Sequence, residues 1–145
     1  MSRDAQDTPG PVDVSIVTAL YNCLDLTRGY LKSLEETLSH SELRYEVVLV
    51  DDGSTDGTPE FLESLGPRYR VYRNATNLGY AAGNNLGARK AKGRILAFLN
   101  NDLVLSPGWL EPMLTGLEVL DDVGIVGNIQ IDPKTGLIDH AGVFF

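Results

Sequence analysis

Three pairs of polar residues stand directly after apolar runs. Tyr21 and Asn22 follow Val14–Leu20, Asp51 and Asp52 follow Tyr45–Val50, and Asn101 and Asp102 follow the run that begins at Ile95. Adjacent acids after a strand have an ordinary reading as solvated turn formers. They also have a chemical one, because a carboxylate there can accept hydrogen bonds from a nucleobase or a sugar. Asn101-Asp102 likewise reads as a strand-ending turn or as a hard oxygen ligand set. A carboxylate combined with diphosphate oxygens suits Mg²⁺ or Mn²⁺. One carboxylate alone is a weak signal; a shared rim with Asp52 and Tyr21 strengthens it.

Other motifs carry less. Leu20-Tyr21-Asn22-Cys23 has no glycine where a dinucleotide fingerprint needs three, and no Walker A sequence is present. Asp52 to Gly57, with Glu63, has the oxygen spacing of a calcium loop. A strand precedes it where that motif needs a helix, so a turn leading into a helix is the better reading. Cys23 is expected to be a small buried filler, His40 to face solvent and Trp109 to anchor a helix start. His140 is either a metal or phosphate contact or an ordinary hairpin residue. The sequon Asn74-Ala75-Thr76 is read as coincidental.

The elements that must position these residues follow from periodicity. Val14–Leu20 and Tyr45–Val50 read as buried strands. Leu24, Leu31, Leu34 and Leu38 mark an amphipathic helix between them. Thr58, Pro59 and Glu60 predict a short helix to Leu65, with the Thr58 hydroxyl as its cap. Arg70–Arg73 is a weaker strand. Ala81–Ala91 reads as a helix of small residues able to lie close to a neighbouring backbone. Ile95–Leu99 is a fourth strand. A helix is expected over Pro107–Leu120 with Ser106 as its cap. A fifth strand is expected within Val123–Ile131, and a hairpin from Leu137 onward. This alternation predicts an α/β fold, a mostly parallel sheet flanked by helices. Ligands of such sheets bind beyond the carboxyl ends of the strands, where the polar pairs lie.

The chain has 145 residues and a net charge of −8, with a pI near 4.6. That balance argues against nucleic acid as a partner, which would call for a basic face. A single cysteine excludes an internal disulfide. No apolar run approaches the ~20 residues of a membrane span, so any membrane association would be peripheral, through other regions. Met1–Pro11 reads as a disordered tail without a secretory signal, and residues 12–145 as one domain. A cytoplasmic location is expected.

Taken in order, Val14 to Asn22, Val48 to Thr58, Asn77 to Gly87, Phe98 to Asp102 with Pro107 to Leu110, and Asp139 to Val143 resemble the family 2 glycosyltransferases, which have the GT-A (Rossmann-like) fold. The last segment is similar to the rhamnosyltransferase-like members. The resemblance implies a nucleotide-diphosphate-sugar donor, a glycan or other hydroxyl acceptor, Mn²⁺ or Mg²⁺, and a place in cell-wall or polysaccharide biosynthesis. Carried over by position, Tyr21 would stack on the base and Ala19 would line that pocket through its backbone. Asp52 would accept from the base, and Gly79 and Asn85 would border the donor. Asn101 would bond the ribose or sugar, and Asp102 would be the metal ligand. Asn101 stands where the family has an acid. The family's general base comes after this region, so it is expected beyond Phe145, and the chain is expected to be the donor-binding part, cut before the acceptor half and inactive alone. Two other readings stand beside it: a non-catalytic nucleotide-sugar-binding module, and a sugar nucleotidyltransferase, for which the glycine-rich basic signature is missing.

Overall fold

The structure, a computed structural model, describes residues 11–140. They fall into two compact units, one up to Val104 and one from Leu105. The tail reading and the end of the expected hairpin lie mostly outside the described residues.

The first unit is a four-stranded parallel sheet. In chain order it comprises β1 (Val14–Leu20), α1 (Leu24–Leu38), β2 (Tyr45–Asp51), α2 (Thr58–Glu63), β3 (Tyr69–Arg73), α3 (Tyr80–Lys90) and β4 (Ile95–Phe98). The strand order is β3-β2-β1-β4, with Val17 opposite both Val48 and Phe98. All seven residues of β1 are buried, because it is a central strand with a helix on each face. Successive side chains point to opposite faces. Thr18 points to α1, where its hydroxyl lies 2.8 Å from that of Tyr30. Val17 and Ala19 point to α3.

Helix α3 reaches β1 through its glycines. A Cβ on Gly83 would lie 2.8 Å from that of Ala19, and one on Gly87 would collide with Val17 Cγ1. The small residues read from the sequence therefore do what their size suggests. At the amino edge of the sheet, the Glu46 carboxylate accepts from Ser15 Oγ at 2.6 Å, from Arg70 at 2.6 Å and from the backbone N–H of Lys92. This ties the α3–β4 connection to β1 and β2.

Three expectations are corrected. Helix α2 is not capped by the Thr58 hydroxyl; Asp56 Oδ1 accepts from the Thr58 N–H at 2.9 Å instead. In the second unit the helix is α4 (Glu111–Val119), not Pro107–Leu120 capped by Ser106. Gly108 has φ +75, a left-handed conformation that breaks any helix started at Pro107, and Pro112 takes the first turn instead. The fifth strand is only β5 (Gln130–Ile131), and it pairs antiparallel with β6 (Ile138–His140), apart from the parallel sheet. Gly124 and Gly127 interrupt the apolar run, and Ile125 is 91% exposed, so no sheet face holds that segment.

The tight α3 contact gives a stability prediction. Gly87→Ala should cost about 1–3 kcal/mol through overpacking. Gly29→Ala, on the open face of α1 with nothing within 4 Å, should gain roughly 0.5–1 kcal/mol. Urea denaturation of both variants checks the contrast, and equal effects would contradict the packing argument.

Candidate functional site

Because β1, β2 and β4 run parallel, the loops after them share the carboxyl rim of one sheet. Each is shaped by specific hydrogen bonds. Asn22 and Cys23 are left-handed, with φ 55 and 61. Asparagine tolerates that region; cysteine seldom visits it. Three bonds hold the pair to the β2–α2 loop. The Asn22 N–H donates to Ser54 Oγ at 2.7 Å, the Thr55 N–H donates to Asn22 Oδ1 at 2.8 Å, and the Leu24 N–H donates to Asp56 Oδ2 at 3.3 Å. Tyr21 is left 44% exposed at the rim. Cys23 is exposed rather than a buried filler, because the reversed backbone turns it outward.

Asp51, the last residue of β2, and Asp52 after it go to opposite faces and do different work. Asp51 is buried; its Oδ1 accepts from the Ser54 N–H at 2.8 Å and its Oδ2 lies 3.2 Å from Arg73 Nε. It closes the β2–α2 turn and belongs to the scaffold. Asp52 faces the β3–α3 loop. Its Oδ1 accepts from Asn74 Nδ2 at 2.7 Å, and its Oδ2 from the N–H groups of Leu78 at 3.0 Å and Gly79 at 2.8 Å. Burial pushes this carboxyl up, but those three donors outweigh it and leave it below its ordinary value. Gly53, at φ +80, lets the two loops touch: a Cβ there would lie 2.7 Å from the backbone of Thr76.

The remaining residues are placed less uniformly. Ala19 lies one residue before the end of β1 with its methyl under α3. Gly79 precedes α3, its N–H shared between Asp52 and Asn77 Oδ1. Asn85 is exposed and opens onto a cleft lined by Asn74, Leu78, Ala82, Leu86 and Arg89, on the β3 side of α3. Its neighbour Asn84 is the buried one; its Nδ2 donates to the Tyr80 carbonyl at 3.0 Å, and its Oδ1 has no protein partner. Residue type alone could not tell the two amides apart. Asn101 is half-buried and donates from Nδ2 to Thr27 Oγ1 at 2.9 Å, while Asp102 is exposed. The sequence singled out Asn74 only as part of a sequon and Thr27 not at all, since each acts through a partner at least 22 positions away.

Among the described residues no three His, Cys, Asp or Glu side chains are grouped to hold a metal ion. Asp102 therefore fits a divalent ion only as one carboxylate completed by the oxygens of a bound diphosphate, a set that suits Mg²⁺ or Mn²⁺.

The candidate residues thus lie at the carboxyl rim of a parallel α/β sheet. Residues 15–141 match the family model described as Glycosyl transferase family 2, and the chain belongs to that family. It is 28% identical, over 86% of its length, to an uncharacterized glycosyltransferase of Haemophilus influenzae, and 31% identical, over 82%, to the succinoglycan biosynthesis protein ExoO of Rhizobium meliloti. It spans 40% and 34% of those two proteins. The crystal structure of residues 1–349 of S. aureus TarS in complex with UDP-GlcNAc shares the fold, with a TM-score of 0.65 and 24% identity over 74% of this chain and 31% of that one. No helix among the described residues is long and apolar enough to cross a membrane.

Asp52 gives a pH prediction. A carboxyl whose value falls on folding stabilises the native state above its unfolded value, near 3.9, and loses that contribution as pH drops through the folded value. Asp52→Ala should cost about 1.5–3 kcal/mol at pH 7. The gap between variant and wild type should begin to narrow as pH falls below the ordinary carboxyl value. Denaturation midpoints measured from pH 7 to pH 2.5 test this; a gap unchanged by acid would assign the loss to packing instead.

Proposed function

We propose that this chain is the donor-binding part of an inverting glycosyltransferase that moves a sugar from a nucleotide diphosphate to a hydroxyl acceptor. The observation carrying the reading is that Asp52, an exposed aromatic ring, Tyr21, and an exposed carboxylate, Asp102, follow β2, β1 and β4 in that order along one carboxyl rim. Tyr21 would stack on the base, and Ala19, Gly79 and Asn85 would border the donor. Asp52 holds the loop that frames the base and has its remaining lone pairs to offer. Asp102 would hold Mn²⁺ or Mg²⁺, which when bound supplies positive charge against the departing diphosphate. The TarS complex supports a UDP-sugar class of donor, and ExoO, by its name, supports polysaccharide as the product. The general base that takes the acceptor proton is proposed to lie in the part of the longer relatives that this chain does not span. A cytoplasmic location accords with an exposed free thiol at Cys23.

A second reading, a non-catalytic nucleotide-sugar-binding module, is favoured by Asn101, which leaves one carboxylate where two would bind a metal more firmly. Sugar transfer by a chain extended through the part its longer relatives have would support the first reading, and donor binding without turnover by that longer chain the second.

UDP binding should strengthen about tenfold, or ~1.4 kcal/mol, when Mn²⁺ replaces a chelator. Asp102→Asn, which keeps shape and removes charge, should abolish that gain. Calorimetry giving equal affinity with metal and with chelator would overturn the proposed site.

A further inference from the structure

We propose that Thr27 is a positioning residue for Asp102, acting through Asn101. The inference rests on the reading of Asp102 as the metal-side carboxylate. Thr27 lies in the first turn of α1, fully buried, with its N–H already used by the Cys23 carbonyl. The other serine and threonine hydroxyls of α1 turn back on their own helix: Ser33 Oγ donates to the Tyr30 carbonyl and Thr37 Oγ1 to the Ser33 carbonyl. Thr27 Oγ1 instead accepts from the Asn101 amide, 74 positions along the chain. A buried hydroxyl facing a half-buried amide makes a bond that little water can replace.

The chain geometry gives this bond its consequence. The sheet ladder continues one residue past β4, where the Leu99 N–H donates to the Val17 carbonyl at 3.0 Å. The backbone then turns at Asn101-Asp102. Tethering the side chain of Asn101 to α1 fixes that turn and leaves the next side chain, Asp102, facing solvent at the rim. The residue type fits the task. An amide donates to the threonine oxygen without charge, whereas an acid here would set a second negative charge beside Asp102. Asn101 is thus the strut of the turn.

The test compares UDP affinity in Mn²⁺ and in chelator, by calorimetry, for three variants of the whole chain. Thr27→Val keeps the shape and deletes the bond. It should lower Mn²⁺-supported affinity about tenfold, as loss of a partner behind a metal ligand does, and leave the affinity in chelator unchanged. Thr27→Ser should restore the wild-type pattern. A Thr27→Val variant that keeps its Mn²⁺ gain while Asp102→Asn loses it would overturn the inference and leave the site standing. Equal losses with and without metal would also overturn it, since a purely structural role acts on both. An undiminished gain in Asp102→Asn would remove the site and this inference together. Should Thr27→Val fail to fold, Asn101→Ala cuts the same bond from the loop side and is read against the same outcomes.

Discussion

One carboxylate, that of Asp52, organises the rim. Its two oxygens take three protein donors from the β3–α3 connection, and so decide where α3 begins. From that starting point α3 descends along β1, close enough that only glycine fits at two positions of contact. The seating of α3 buries one face of β1, and the Tyr30–Thr18 contact from α1 closes the other. The loop carrying Tyr21 and the edge strand leading to Asp102 both grow from β1. A buried anion satisfied by backbone N–H groups is a strong, directional bond, and most of the geometry of the rim is downstream of it.

The two edges of the sheet are built on opposite principles. At the amino edge, Glu46 gathers Ser15, Arg70 and the backbone of Lys92 into a part-buried cluster. At the carboxyl edge, Asp51 and Asp52 are turned inward to fasten loops, and Tyr21 and Asp102 remain toward water. Rigidity at one edge and beneath the other lets exposed side chains at the rim hold defined positions.

Much of this was legible in the sequence, for physical reasons. β1 and β2 are covered on both faces, so they appear as unbroken apolar runs. α1 covers one face and shows the matching stripe. The glycines of α3 announce a close approach. The motifs after β1, β2 and β4 also carried enough pattern to indicate the family. Local pattern failed where a distant partner decides the outcome. Asp51 and Asp52 look alike as letters and differ only by the face each occupies. Asn84 and Asn85 differ by one step around a helix. Asn101 finds Thr27 across most of the chain. The Val123–Ile131 stretch is apolar enough for a strand but has no neighbouring strand long enough to make it one.

The strand order also sets a timetable for folding. β1 leaves the ribosome first but ends between β2 and β4, and its partner on one side, Ile95–Phe98, is made some eighty residues later. A β1–α1–β2 unit can close early through its parallel pairing, with one edge of β1 still unpaired. Every bond on the β4 side, including Asn101 to Thr27, must wait for that long-range closure, which is the slow part of assembling a parallel sheet. Asp102 is thus set in place by the last strand to join the sheet, and until then a strand buried along its whole length in the finished fold has an open edge that a nascent chain must keep from pairing elsewhere.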